Sequence, residues 1–184
     1  MSLHLIFGSM YAGKTTEIIR RIKRYQSINK RVLVINSQLD DRYFNGNSII
    51  SHDGNACRCV KAKTLFDIDQ KMCLITDIDV VIIDEAQFFP DLKKYVLKFC
   101  EEYKKIIVVA GLISDYERKK FGNMIDLFYY ADNIMHLKSL CTKCQDGTLG
   151  IFTDKICGNN NQIDVGSTNK YVALCRKCYL KDRS

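Results

Sequence analysis

The sequence predicts an α/β fold, a doubly wound and mostly parallel P-loop sheet followed by a small C-terminal zinc-binding unit of ribbon or lasso type. Three observations carry this expectation. Short β-branched runs alternate with amphipathic helical patterns up to Leu140. The first run leads directly into a glycine-rich phosphate loop. Beyond Leu140 the periodicity changes, and two C-x-x-C pairs frame most of the remaining chain. The expected division is therefore 1–140 for an ATP-binding α/β unit and 141–184 for the zinc-binding unit.

The strand-like runs are Leu3–Phe7, Arg31–Ile35, Asp79–Ile83 and Ile106–Ala110. Each is nearly continuous in apolar residues, as befits parallel strands covered on both faces. Between the first two, Ile18, Ile19, Ile22 and Tyr25 mark one face of a helix that begins near Lys14. After the third, Leu92, Tyr95, Val96, Phe99, Cys100 and Tyr103 mark another, starting just past Pro90-Asp91. A further helix is expected through Met124, Ile125, Leu127 and Phe128, and a polar loop over Tyr43–Asn55, broken by Gly46 and Gly54. From Cys141 onward helical periodicity is weak, and Gly147, Gly150, Gly158 and Gly166 punctuate short apolar pieces.

Composition narrows the function classes. A chain of 184 residues with 47% hydrophobic content can bury one core with a small appendage. No apolar run is long enough for a membrane span, and the N-terminus reads as neither a signal nor a basic leader. A reducing, cytoplasmic location is expected. Nine cysteines there point to metal binding or buried thiols. The formal charge is +7, but four zinc-bound thiolates would contribute −4 and +2 and lower it to about +5. That balance suits ATP as well as it suits nucleic acid.

Gly8-Ser9-Met10-Tyr11-Ala12-Gly13-Lys14-Thr15 matches G-x-x-x-x-G-K-[ST] in full, after a strand and before a helix. Polyphosphate carries dense negative charge, and such a loop turns consecutive backbone N–H groups inward around it. The following helix adds its positive dipole end. Lys14 is expected to reach the β- and γ-phosphates, and the Thr15 hydroxyl to ligate Mg²⁺. The third strand ends in Asp84-Glu85, and ligands collect at the carboxyl ends of the strands in a doubly wound sheet. There Asp84 would orient Mg²⁺, and Glu85 would accept a proton from an attacking hydroxyl or water.

Cys141-x-x-Cys144 and Cys175-x-x-Cys178, 30 residues apart, have the spacing of a tetrahedral zinc site. With all four positions filled by sulfur the zinc is expected to be structural. It would pin the base of a long excursion, and Ile151–Thr153, Ile163–Val165 and Tyr171–Leu174 read as strand pieces of an ordered flap. Cys57, Cys59, Cys73, Cys100 and Cys157 read as buried or incidental thiols.

Taken together these residues resemble the thymidine kinase family of the zinc-containing type, over Leu3 to Tyr179. The marks of resemblance are the Gly8–Thr15 loop, Asp40-Asp41-Arg42, Ser51-His52-Asp53, Asp84-Glu85-Ala86-Gln87-Phe88-Phe89-Pro90, Gly111-Leu112, Phe121-Gly122, and Tyr171 ahead of Cys175-Arg176-Lys177-Cys178. The resemblance implies phosphoryl transfer from Mg-ATP to the 5′-hydroxyl of thymidine, and of deoxyuridine, with Glu85 as the base. It implies that Asp84, Asp40, Arg42 and Gln87 belong to the ATP and magnesium end. It implies that Ile163, Asp164, Val165 and Gly166 bind the thymine ring through their backbone. Met10, Phe88, Leu112, Tyr116, Phe121, Thr153 and Tyr171 would enclose the base and sugar. A homotetramer is implied as well, with no role for nucleic acid or membrane. Against the family pattern, Ile113 and Lys120 stand where Asp and Pro are common, and Tyr116 where Phe is common.

The competing reading is a zinc-ribbon P-loop ATPase acting on nucleic acid. It would need the basic run Arg20, Arg21, Lys23 and Arg24 as a binding face, whereas such runs are ordinarily solvated helix surface.

Overall fold

In a strand covered on both faces, successive side chains enter opposite layers, and the apolar runs of this chain do so. The computed structural model describes residues 1–40, 48–50, 54–71, 73–157, 161–162 and 170–181. In chain order the strands are β1 (Ser2–Gly8), β2 (Val32–Ser37), β3 (Ser48–Ile50), β4 (Ala56–Arg58), β5 (Val60–Ala62), β6 (Val80–Asp84), β7 (Ile106–Gly111), β8 (Asn133–Leu137), β9 (Ser139–Leu140), β10 (Leu149–Gly150), β11 (Phe152–Lys155) and β12 (Tyr171–Leu174). The α-helices are α1 (Lys14–Gln26), α2 (Leu65–Asp69), α3 (Cys73–Thr76), α4 (Leu92–Leu97) and α5 (Arg176–Lys181).

Six strands form the central sheet in the order β5-β2-β6-β7-β1-β8, every neighbouring pair parallel. Within β6, Val81 and Ile83 enter a layer shared with Leu92, Val96 and Phe99. The alternate residues Val80 and Ile82 enter the other layer, against Ile18, Ile19 and Ile22 of α1. Each such fully buried aliphatic side chain contributes about 1.5–3 kcal/mol. The chain leaves β1, crosses behind β7 and β6 through α1, and re-enters the sheet at β2. The carboxyl ends of β1, β2 and β6 thereby come together at one rim, which bears the phosphate loop, Asp40 and Asp84-Glu85.

The structure corrects several local expectations. Tyr43–Asn55 is not loop throughout, because Ser48–Ile50 pairs antiparallel with Ala56–Arg58 and Ile49 is buried. The helix through Met124–Tyr130 is wound as a 3₁₀ helix, and the last turn after α4, Lys98–Glu102, widens into a π-turn. Two strands of the main sheet, β5 and β8, have no counterpart among the strand-like runs of the sequence. Both lie at its edges.

Past β8 the chain forms two small antiparallel pairs, β9 with β10 and β11 with β12. The short helix α5 carries Cys178 and buries Tyr179. At six residues it is too short to leave a periodic signature in a segment expected to have little helix. Cys141, Leu174, Cys175 and Tyr179 make its compact core, with Phe152 and Val172 packed on it. A core this small depends on a staple. The expected flap strands at Ile151–Thr153 and Tyr171–Leu174 are thus present as β11 and β12, while Ile163–Val165 lies outside the described residues. Among the described residues, no helix is long and apolar enough to cross a membrane.

Candidate active site

The phosphate loop owes its two glycines to different causes. Gly13 has φ +81, a left-handed conformation that caps α1 and that few side chains tolerate. Gly8 needs space instead, since a Cβ there would overlap the carbonyl of Leu137 on the neighbouring strand β8. Tyr11 also has positive φ, at 63°. Lys14 is buried, and its Nζ donates to the carbonyls of Ser9 at 2.9 Å and Gly8 at 3.2 Å. Its ammonium is therefore drawn across the loop that it follows.

Asp84 is 2% exposed, and its Oδ2 accepts from Thr15 Oγ1 at 3.3 Å. The hydroxyl and carboxylate expected to serve Mg²⁺ thus stand side by side, although β1 and β6 are separated by β7. The pair fits a hard cation that takes oxygen ligands. Asp84 Oδ1 accepts the amide of Glu85 at 2.9 Å.

Glu85 itself has φ 50 and ψ 43, a left-handed backbone that is uncommon for a residue with a Cβ. Such strain is retained where surrounding structure over-determines it, and it clusters at functional sites. The Glu85 backbone is held by the bond to Asp84 and by Phe88 N, which donates to the Glu85 carbonyl at 3.1 Å. Its side chain is held by Gln87, whose Nε2 donates to Glu85 Oε2 at 2.5 Å while its Oε1 accepts the Leu112 amide at 2.9 Å. Glu85 and Gln87 are both buried.

Asp40, also buried, accepts from Asn36 Nδ2 at 2.9 Å, and its carbonyl accepts from Lys61 Nζ at 2.6 Å. Asn36 pairs with Asp84 in the β2–β6 register, which sets the Asn36–Asp40 pair beside the end of β6. Below them burial pushes the Cys59 thiol up to about 11, aided by Asp84, Cys57 and Asp40 and opposed by Lys61. Arg42 lies outside the described residues.

The C-terminal part docks directly on this rim. Thr153 Oγ1 accepts the Met10 amide at 3.0 Å, and Ser9 Oγ donates to the Gly150 carbonyl at 2.9 Å. Tyr179 OH donates to the Tyr116 carbonyl at 2.7 Å. Its four cysteines place their sulfurs all within 4.8 Å of one another, with Cys144 at 3.5 Å from Cys178 and 3.8 Å from Cys175. A tetrahedron with Zn–S of about 2.3 Å has edges of about 3.8 Å, so the donor set fits zinc. Burial opposes ionisation of Cys141, but hydrogen bonds from the backbone at Cys175, Cys144 and Lys143 and from the Cys144 side chain outweigh it and hold that thiol at about 6. Cys144, hydrogen-bonded to the Cys178 and Cys141 sulfurs, is pushed up to about 12. Among the described residues no other group of three or more His, Cys, Asp or Glu could hold a metal.

The family model described as "Thymidine kinase" matches residues 1–179. The chain belongs to the thymidine kinase family. It is 37% identical over 182 residues to the thymidine kinase of Myxoma virus (strain Uriarra), covering 96% of this chain and 95% of that one. Similarity to the thymidine kinases of Variola virus (isolate Human/India/Ind3/1967) and Vaccinia virus (strain Western Reserve) is 36% and 35% over 183 residues, covering 97% of this chain and 96% of each relative.

The residues that the family resemblance assigns to a nucleoside pocket converge only in part on described positions. Phe88 and Phe121 meet edge to face at 5.6 Å between ring centroids. Leu112 is tied to Glu85 through Gln87, and Thr153 sits on the phosphate loop at Met10. Tyr116 and Tyr171 flank Lys155, whose Nζ lies 5.0 Å and 5.7 Å from their ring centroids. Ile163, Asp164, Val165 and Gly166 lie outside the described residues. Sequence reasoning did not single out Asn36, Lys61 or Lys155. Only Asn36 left a trace, as a polar residue just after an apolar run.

The remaining cysteines are scattered. Cys59 and Cys100 are buried, Cys57 is half-buried and Cys157 is exposed, while the Cys73 side chain lies outside the described residues. On α1, Arg20 and Arg21 both pair with Glu17, at 2.6 Å and 2.8 Å. The single Glu17 carboxylate thus engages two cations of the basic run and offsets one of its four positive charges.

Proposed function

We propose that the protein transfers the γ-phosphoryl group of Mg-ATP to the 5′-hydroxyl of thymidine, and of deoxyuridine, giving ADP and the nucleoside 5′-monophosphate in nucleotide salvage. The observation that carries this reading is the Glu85 carboxylate, held by Gln87 beside the Asp84–Thr15 pair, in a chain of this family. The backbone N–H groups of Gly8, Ser9, Met10, Tyr11, Ala12 and Gly13, with Lys14, bind the polyphosphate. Thr15 and Asp84 would hold Mg²⁺, which would neutralise charge on the phosphoryl oxygens. Asp40 and Arg42 belong to the same end.

As the new O5′–P bond forms, the bond from the γ-phosphorus to the bridging oxygen of ADP breaks, and Glu85 takes the hydroxyl proton. Gln87 acts by aiming Glu85. Met10, Phe88, Leu112, Tyr116, Phe121, Thr153 and Tyr171 enclose the nucleoside, with the Ile163–Gly166 backbone reading the base. Zinc on Cys141, Cys144, Cys175 and Cys178 is structural, because no coordination position remains for water.

In this reading residues 1–140 bind ATP, residues 141–184 close over the nucleoside, and the enzyme is a cytoplasmic homotetramer that needs no nucleic acid or membrane. The edge strand β8, with Ile134 43% exposed, gives subunits a place to meet. On α1, the face that the nucleic-acid ATPase reading needs, Glu17 engages two of the four cations.

The test is initial-rate ADP release with each deoxynucleoside at equal concentration. Cytosine carries an amino group where thymine offers a carbonyl, and a mismatched base leaves buried polar groups unpaired. Deoxycytidine and deoxyadenosine are therefore expected to fall below thymidine by roughly 10²-fold or more in kcat/KM. Deoxyuridine lacks one methyl, worth about 1 kcal/mol, and should trail several-fold. Deoxycytidine matching thymidine would overturn the pocket.

A further inference from the structure

Between Leu112 and Gly122 the chain makes a tight excursion carrying two of the proposed pocket residues, Tyr116 and Phe121. Its backbone is closed by an antiparallel bridge between Ser114 and Lys120 and by bonds from Asp115 N to the Lys119 carbonyl and from Phe121 N to the Ile113 carbonyl, at 3.0 and 3.1 Å. Asp115 sits at the centre and is 6% exposed. One carboxylate oxygen, Oδ1, accepts the amides of Glu117 and Lys119 at 2.9 Å each. Those bonds explain an aspartate in a tight turn.

They do not explain the other oxygen. Oδ2 accepts from Gln162 Nε2 at 2.7 Å, and the same nitrogen donates to the Lys120 carbonyl at 3.1 Å. Gln162 lies 47 residues further along, in the arm that joins the two cysteine pairs. The excursion also meets the C-terminal part elsewhere, where Arg118 stands 5.0 Å from the Tyr179 ring centroid and Tyr116 accepts from Tyr179 OH. Those contacts reach the zinc staple; the arm is reached by Gln162 at Asp115 and Lys120, and by Lys155, whose Nζ lies 5.0 Å from the Tyr116 ring centroid.

We propose that Asp115 and Gln162 are positioning residues for the nucleoside: their hydrogen bond holds the arm of the zinc-binding unit against the wall that bears Tyr116 and Phe121. This inference rests on the thymidine kinase reading. A bond to an ionised acceptor is about twice as strong as a neutral one and has a fixed direction. It acts on the nucleoside side, leaving the phosphate loop and Glu85 untouched. Its loss should therefore appear in KM for thymidine, with kcat and KM for ATP nearly unchanged.

The experiment is steady-state kinetics on the full chain carrying Gln162→Ala, Gln162→Glu, Asp115→Asn and the double variant D115N/Q162E. Gln162 is exposed, so its variants are expected to fold. Gln162→Ala should raise KM for thymidine about 5- to 20-fold, and Gln162→Glu at least as much, because it sets two carboxylates face to face. In D115N/Q162E the donor and acceptor change places while Oδ1 still receives the turn amides. Its KM should fall back below that of Gln162→Glu. A merely structural role predicts lower melting temperature without selective KM change and without that rescue. Unchanged KM for thymidine in Gln162→Glu, or equal rises for thymidine and ATP, would overturn the inference while leaving the kinase reading intact. Absence of thymidine-dependent ADP release in the unaltered protein would overturn both.

Discussion

Glu85→Gln is expected to lower kcat by about 10²–10⁴-fold while thymidine and ATP still bind within a few-fold of the parent protein. The amide preserves the shape of the side chain but cannot take the 5′-hydroxyl proton. Gln87 Nε2, which lies 2.5 Å from Glu85 Oε2, can donate equally to an amide oxygen, so the side chain should keep its place, and the backbone bonds of the turn are not altered. The range is wide because proton removal comes late in a loose phosphoryl-transfer transition state. Single-turnover kinetics with binding measured separately would check it. A kcat near that of the parent would remove Glu85 from the chemistry.

Cys175→Ser is expected to abolish stoichiometric zinc and unfasten the C-terminal part. Cys175 is buried in a core of four residues and its sulfur accepts the Cys178 amide, so little else holds that region together. Structural zinc sites contribute on the order of 10 kcal/mol, which this core cannot replace. Limited proteolysis should then cut within 141–181 while the sheet, with its two separate apolar layers, stays compact. Because Thr153 and Gly150 are anchored on the phosphate loop, thymidine turnover should fall with the zinc. Elemental analysis of freshly purified, active protein is the check. Activity without about one zinc per chain would contradict the assignment.

How much of the fold is legible in the sequence depends on how local each signal is. The interior strands β1, β2, β6 and β7 are covered on both faces, so their apolar runs are continuous and visible. The edge strand β8 carries His136 and exposed Ile134, and β5 has only three residues, so neither leaves such a run. Ile49 is buried inside an otherwise polar stretch, where one apolar pair is too little pattern for a strand. At the site, the phosphate loop, Asp84-Glu85 and the cysteine pairs are contiguous motifs. The groups that hold them are not. Asn36 meets Asp40, Gln87 bridges Glu85 to Leu112, and Gln162 meets Asp115 through the fold, with no spacing rule to announce it. Gln87 is readable as part of the Asp-Glu segment, but its bridging of Glu85 to Leu112 is not.

The most direct measurement of the central claim follows the γ-phosphoryl group itself. With γ-labelled ATP, Mg²⁺ and thymidine, the label is expected in thymidine 5′-monophosphate, one for each ADP released, at a rate unaffected by single-stranded DNA. Label appearing instead as inorganic phosphate, stimulated by DNA and indifferent to thymidine, would contradict it.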